Sequence, residues 1–183
     1  MAGQSVQTES AVWNFDPAHT VVEFSVKHMM FATVKGTFGQ FEGKLVGDPE
    51  DLTGASVEFT VETGSIDTKE ADRDKHLLSA DFFDAENHPK ITFKGDRFTK
   101  TGEDTYDLEG ELTIRGVTKP VTAQVVYEGR GKDPWGNERI GLTGKARINR
   151  KDFGLTWNAA LETGGFLVGD AVDIALHIEA VRA

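Results

Sequence analysis

The sequence contains no cysteine, and this absence excludes a whole group of chemistries. Without a thiol the chain has no disulfide framework, no thiolate nucleophile and no thiolate metal site. Its five histidines are scattered, and no H-E-x-x-H motif brings two of them into ligand spacing. A G-x-S-x-G motif is also absent. We therefore predict no metal site, no cofactor and no catalytic residue from motifs.

Positive charge is in short supply: 20 lysines and arginines stand against 30 acids, a net charge of −10. This balance disfavours nucleic acid as a partner, and it also disfavours docking on anionic lipid headgroups. No apolar run approaches the length of a membrane span. The first residues, MAGQSVQTESAVW, lack the basic region and apolar core of a secretory signal. We expect a cytoplasmic protein without an integral membrane segment.

What the sequence does contain is alternation. Residues 55–63 place Ala55, Val57, Phe59 and Val61 on one face and polar residues on the other, which is typical of a half-buried strand. The same period predicts strands over residues 12–15, 20–28, 34–46, 55–63, 90–99, 106–115, 121–129, 138–149 and 171–181. Residues 47–54 are predicted to form a turn region, and the face is expected to switch at Gly39.

These strands predict an all-β fold, because no alternation of strands with helices appears. A sandwich and a closed barrel both fit the pattern. Strands of about ten residues span roughly 33 Å, and glycines are spread through them, which favours an extended up-and-down antiparallel β-barrel of about eight strands. At 183 residues the chain fits one domain over residues 12–183, after a mobile tail over residues 1–11.

One stretch breaks the alternation, residues 65–93 (SIDTKEADRDKHLLSADFFDAENHPKITF). Asp67 and Glu70 have the spacing of a capping box, so we predict one short helix over residues 68–78 between two strands. This helix is mostly charged, which places it at a surface or over an opening. Phe82 and Phe83 would anchor the segment after the helix. A lid on the barrel and a plain surface crossover are both consistent with this pattern.

Four segments of the chain resemble the YceI-like family of lipocalin-fold, polyisoprenoid-binding proteins, and their order and spacing carry the resemblance from about residue 13 to residue 178. The segments are DPAHT (16–20) running into Phe24, Val26 and His28; VKGTF (34–38) with Phe41 and Gly43; the interruption from Ser65 to Pro89; and GELTIRGVTK (110–119) followed by INRKDFG (148–154). His88 departs from the family pattern, because many relatives have a tyrosine before the proline.

The resemblance implies a lipocalin-like barrel with a helix near one end and a long apolar cavity. That cavity would hold a polyisoprenoid, or a similar amphiphilic lipid such as a fatty-acyl chain, for carriage or storage. Each buried methylene would contribute about 0.8 kcal/mol. The resemblance also implies that a homodimer can form. We therefore expect a binding protein rather than an enzyme. An enzyme acting on such a lipid and a ligand-free stress-response domain remain the alternatives.

The predicted ligand-binding residues are inward strand positions, together with side chains near the helix. They are Val22, Phe24, Val26, His28, Phe38, Val57, Phe59, Val61, Arg73, His76, Phe82, Phe83, Ile91, Phe93, Leu112, Ile114, Leu142, Arg150 and Trp157. Arginine and histidine would hold the headgroup. The alternatives are structural: the apolar side chains can fill the lumen, Arg73 and Arg150 can form internal ion pairs, and Trp157 can belong to the core.

Overall fold

A computed structural model describes residues 11–183, which form one antiparallel sheet of eleven strands and one short α-helix. The strands are β1 (Ala11–Phe15), β2 (Val21–His28), β3 (Ala32–Phe38), β4 (Phe41–Asp48), β5 (Asp51–Glu62), β6 (Ile66–Asp67), β7 (Lys90–Lys100), β8 (Thr105–Ile114), β9 (Val117–Lys132), β10 (Glu138–Asn149) and β11 (Val168–Arg182). The helix is α1 (Ala71–Leu78), and single 3-10 turns cover Thr63–Ser65 and Arg150–Phe153.

The eleven strands make up the eight staves of a closed barrel, where a stave is one full-length strand position formed by one strand or by two strands end to end. β1 and β2 pair with successive parts of β11 and so form one stave, interrupted at Asp16-Pro17 because proline cannot donate to a ladder. β4 and β3 form the next stave, and β5 and β6 the third. Every stave pairs with its neighbour in sequence, and β1 closes the circle on β11 through Trp13 and Arg182. The prediction of an up-and-down antiparallel barrel of about eight strands is confirmed.

Some strand boundaries differ from the sequence prediction. The strand predicted over residues 34–46 is two strands, because the chain leaves the ladder at residues 39–40. The predicted turn region 47–54 is shorter, since β5 already begins at Asp51. Residues 1–10 of the predicted mobile tail lie outside the described residues. Ala11, which that prediction included, is the first residue of β1 and pairs with Gly47.

The helix is present, but it begins three residues later than predicted. Its N-cap is Glu70, whose side chain accepts a hydrogen bond from the backbone N–H of Asp72. Asp67 instead accepts from the N–H of Lys69 at 2.8 Å, which makes a local turn. Lys69 has φ 67°, a left-handed conformation that does not belong in a right-handed helix. The capping acid is therefore Glu70 rather than Asp67.

Two packed regions stabilise the two ends of the barrel. The closed end contains side chains that are at most 1% exposed, namely Trp13, Leu45, Leu52, Ile140 and Ala180. The helical end carries α1, the turn between β8 and β9, and the segment that connects β10 to β11. Its cluster consists of Phe82, Leu112, Ile114, Phe153 and Leu155. A cavity lies between the two ends.

Candidate ligand cavity

The barrel encloses a cavity of about 240 Å³ whose wall is aliphatic and aromatic. It extends from Phe15 and Leu45, towards the closed end, to Phe82, Phe153 and Leu155 at the helical end. The cavity wall includes inward-facing residues of the long strands and the side chains of the helical end that cover them. Such a lining favours an apolar ligand, because it offers no partner for a polar group along most of its length.

The hollow exists because two inward positions of β10 carry small residues. Along β10 the inward face reads Ile140, Leu142, Gly144, Ala146 and Ile148. A Cβ built on Gly144 would meet no heavy atom within 4 Å, although the residue itself is buried. The neighbouring strand β11 turns aliphatic side chains towards this space, and these remain only partly buried. The lumen is therefore hollow along β10 and β11 rather than filled by side chains.

Glycines on the other side of the barrel leave room for phenylalanine rings against the wall. A Cβ at Gly43 would lie 2.5 Å from the rings of both Phe15 and Phe59, and one at Gly110 would lie 2.5 Å from the ring of Phe93. Rings that cover neighbouring glycines in this way compensate for the weak strand propensity of glycine.

Most of the predicted binding residues line this cavity. They are Val22, Phe24, Val26, Phe38, Val57, Phe59, Val61, Phe82, Phe83, Ile91, Phe93, Leu112, Ile114, Leu142 and Arg150. The structure places His28, Arg73, His76 and Trp157 outside the wall. That any of these residues contacts a ligand stays a prediction.

Several lining residues were missing from the predicted set. Most come from β9, β10 and β11, and others, such as Phe15, Leu45 and Leu108, come from β1, β4 and β8. The first group includes Val121, Ala123, Val125, Ala146, Val172, Ile174, Leu176 and Ile178. Their period-two alternation was visible in the sequence. What the sequence did not show was which strands would face an empty space and which would face packed rings.

Arg150 lies at the end of β10 and is only 4% exposed. Its guanidinium donates to the carbonyl oxygens of Leu155 at 2.6 Å, Gly169 at 2.8 Å and Trp157 at 2.9 Å, with a longer bond to that of Val168. Burial lowers its pKa from the ordinary arginine value. The guanidinium thus ties the segment between β10 and β11 to the barrel, and most of its donors are already used.

A cluster of aromatic rings joins the two segments that cover the helical end. His76 on α1 meets the indole of Trp157 edge to face at 4.7 Å and the ring of Phe82 at 5.1 Å. Its Nε2 also lies 2.9 Å from the carboxylate of Asp81. Nearby, Arg115 donates to the carbonyls of Ala80 and Phe82. α1 and the Trp157 segment are therefore locked together over the barrel.

The remaining polar candidates have local partners. Arg73 donates from Nε to the hydroxyl of Thr68 at 2.8 Å and from Nη2 to the carbonyl of the same residue at 2.6 Å. Asp74 accepts from the backbone and the hydroxyl of Thr68. Arg73 therefore stabilises the turn before α1 through Thr68, rather than through the internal ion pair that was the structural alternative. His28 ends β2, opposite Ala32 and Val168.

Away from the cavity, Arg139 joins three segments of the barrel. It lies 2.8 Å from Asp16 and 2.8 Å from Asp133, and 3.5 Å from Glu179. Hydrogen bonds from His19 and Arg139 lower the pKa of Asp16 to about 2, and the bond from Arg139 does the same for Asp133. Within residues 11–183, Asp16, His19 and Glu179 are the one group whose ligand atoms converge enough for a metal. Arg139 already supplies positive charge there.

These observations define the class of protein: a closed up-and-down barrel of the lipocalin type, with a helix across one end and an apolar cavity inside. Within residues 11–183, no helix is both long and apolar enough to cross a membrane. Residues 13–180 match the YceI-like domain. The chain belongs to the YceI-like family.

Individual relatives agree with this assignment. A UPF0312 protein of Vibrio cholerae is 37% identical over 165 residues, which cover 90% of this chain and 83% of that protein. The crystal structure of Burkholderia cenocepacia BcnA superposes with a TM-score of 0.79 at 25% identity, covering 90% of this chain and 98% of that one. A polyisoprenoid binding domain from Saccharophagus degradans, implicated in plant cell wall breakdown, shares the fold with a TM-score of 0.71 at 14% identity, covering 95% and 99%.

Proposed function

We propose that this protein binds an amphiphilic lipid, and specifically a polyisoprenoid chain, non-covalently in the barrel cavity for carriage or storage. The observation that carries the proposal is the continuous apolar wall of the 240 Å³ cavity. Polyisoprenoid binding by the Saccharophagus degradans domain, which shares the fold, supports the same ligand class. The hydrophobic effect would supply the affinity, since the wall offers little else.

The volume constrains how such a chain is held. A cavity of about 150 Å³ holds one benzene molecule, so the present cavity accommodates roughly two isoprene units. Ten buried methylene-sized groups would gain about 8 kcal/mol, which association costs of about 4–15 kcal/mol largely offset. Tight binding therefore requires a longer chain. That chain would have to extend past the helical end or displace rings such as Phe83 and Phe93.

Carriage is better supported than catalysis inside the barrel. A catalyst would need a titratable group beside the bound chain, with its pKa matched to the reaction. Among the residues that line the cavity, only Glu23 and Arg150 carry such a group. Glu23 lies on the opposite parity of β2 from Val22 and Phe24, and the guanidinium of Arg150 is bonded to carbonyls. Neither one is a free acid or base facing the lumen.

Organic extraction of gently purified protein, followed by mass spectrometry, tests the proposal directly. We expect a stoichiometric prenyl lipid in the extract, and a rise in melting temperature when prenyl lipids are added to stripped protein. If no lipid is recovered and the melting temperature does not respond, the protein is not a lipid carrier. Conversion of an added lipid into a new product would favour the enzyme.

Two expectations on assembly and location accompany this proposal. A homodimer stays a prediction, which light scattering on the purified protein would test. A cytoplasmic location also stays a prediction, which fractionation of cells would test.

A further inference from the structure

Four exposed apolar side chains gather at the helical end. Met29, Met30 and Phe31 are 39%, 67% and 77% exposed, and Phe166 is 59% exposed. We call these four residues the apolar rim. Among the described residues only two other large apolar side chains are as exposed, Val21 and Trp135, and Trp135 lies at the opposite end of the barrel, in the turn between β9 and β10. Exposed apolar residues that cluster in this way mark an interaction surface.

The rim is one surface, although two separate turns supply it. Met29, Met30 and Phe31 form the tip between β2 and β3, and Phe166 belongs to the loop that precedes β11. The N–H of Met29 donates to the carbonyl of Leu167 at 2.8 Å. The sulfur of Met30 packs so closely over Gly165 that a Cβ there would collide with it. These contacts hold the two tips side by side.

The backbone of the rim is unusual for its sequence. Met29 and Met30 have φ values of 51° and 69°, the left-handed region that glycine and asparagine enter at lower cost. Met30 and the adjacent Phe31 leave most of their side chains in solvent, so they add little to the packing of the barrel core. Their presence is explained if the tip has a function outside the fold.

The charges around the tip differ from those of the whole molecule. The hairpin residues 27–35 (KHMMFATVK) contain two lysines and no carboxylate, although the chain carries a net charge of −10. Lys27 and Lys35 are both exposed, and Lys27 reaches Thr33 with a 3.1 Å hydrogen bond. Glu162 is the one carboxylate in residues 159–167. Asp170 and Asp173 follow on β11, where Lys151 and Arg147 pair with them. On an anionic lipid surface, apolar side chains at the tip can enter the acyl region while lysines set back from the tip meet the charged headgroups.

The rim also continues into the cavity. Val26 of β2 and Val168 of β11 line the cavity, and they lie at the bases of the two tips. A lipid chain that left a bilayer at the rim would therefore have a short apolar route to the lumen.

We infer that the apolar rim docks this protein on an anionic lipid surface, with Met30, Phe31 and Phe166 entering the interface and Lys27 and Lys35 contacting headgroups. The inference deepens the proposed function, because it supplies the step at which a membrane-resident lipid reaches the cavity. It also revises the expectation from net charge alone. The negative total disfavours general adsorption, but residues 27–35 carry two lysines and no carboxylate, and the two acids beside them on β11 are paired with Arg147 and Lys151.

Cosedimentation with vesicles tests the docking. The probes are phosphatidylcholine vesicles and vesicles of phosphatidylcholine mixed with phosphatidylglycerol. We expect binding to the mixed vesicles, weakened about tenfold by each of Phe31→Ser and Phe166→Ser. Lys27→Gln and Lys35→Gln should each weaken it about fivefold, and only with the anionic lipid. Trp135→Ser removes an equally exposed ring at the closed end, so this control should bind like the parent.

Three results would overturn the inference: no binding to either vesicle, equal loss with Trp135→Ser, or a rim that mediates self-association instead. The last would appear as a change in mass by light scattering for Phe31→Ser without any vesicle binding. A Phe31→Trp variant adds a direct readout, because brominated lipids should quench its emission more strongly than that of the parent protein. If the protein takes up dispersed prenyl lipid but does not bind vesicles, the docking inference is refuted and the cavity proposal is not. If it binds vesicles but takes up no lipid, the cavity proposal is refuted and the docking inference is not.

Discussion

Replacing Gly144 with phenylalanine fills the cavity and tests whether a ligand occupies it. Gly144 lies on the inward face of β10, with no heavy atom within 4 Å of the position a Cβ would take. Its φ is not in the left-handed region, so a larger residue fits the backbone. The new ring would project into the lumen between β9 and β11, the two neighbours of β10.

The expected magnitude follows from the volume. A benzene ring needs about 150 Å³, which is more than half of the 240 Å³ available. If the ring displaces about six of the ten methylene-sized groups of the ligand at about 0.8 kcal/mol each, affinity falls by about 5 kcal/mol, or roughly three-thousandfold. The free protein should become more stable by about 2 kcal/mol, because the ring is buried and a strand glycine is removed. That is roughly 4–8 °C in Tm.

Titration with a fluorescent prenyl analogue and a thermal melt measure both quantities. The matched control is Gly54→Phe, since Gly54 is an exposed glycine of β5 with equally empty space around its Cβ. This control should leave the Kd unchanged. A folded Gly144→Phe variant with the parent's Kd would refute the assignment of the lumen beside β10 as the binding site. Lower stability in the free variant would refute the claim that this space is empty.

Three further predictions concern the polar residues of the barrel. Arg150→Lys should lower the free energy of unfolding in urea by about 3 kcal/mol, because lysine cannot bond the same four carbonyls. An unchanged midpoint of urea unfolding would contradict the role of Arg150 in holding this segment to the barrel. The depressed pKa values of Asp16 and Asp133, both about 2, contribute stability above about pH 4 that is lost as pH falls towards 2. Arg139→Met should make urea stability fall less steeply over that window, and an equally steep fall would exclude the role of Arg139. His76→Ala should raise the ligand association and dissociation rates several-fold in stopped-flow mixing, with little change in Kd. The reason is that it removes the contact between α1 and Trp157 over the helical end. Unchanged rates would show that the ligand enters elsewhere.

The sequence made the fold predictable through alternation and through its breaks. Inward positions such as Phe59 and Leu142 followed from period two, and the barrel followed from long strands without a helical rhythm. The helix was predicted from the same stretch that lost the alternation. Its start was placed too early, because two acids offered a capping position and only the turn at Lys69 decides between them.

The sequence predicted only part of the candidate site. Sequence parity shows which side chains point inward, but it does not show whether the space they face is full. Emptiness depends on which side chains the neighbouring strands turn towards each position: Gly144 meets no packed neighbour, whereas Gly43 is covered by Phe15 of β1 and Phe59 of β5. The polar candidates were uncertain for the same reason. Arg150 has charge and position for a headgroup, yet carbonyls of the segment that follows it and of the start of β11 occupy its donors.

By itself the sequence determined the class of fold, the apolar character of the barrel interior and the interruption that covers one end. All three depend on residues close together in the chain, where propensity and period act directly. Only the tertiary structure decided where the lumen is hollow, which donors are already used, and that Met30, Phe31 and Phe166 form one surface. These properties depend on contacts between residues far apart in sequence, and barrel closure fixes those contacts.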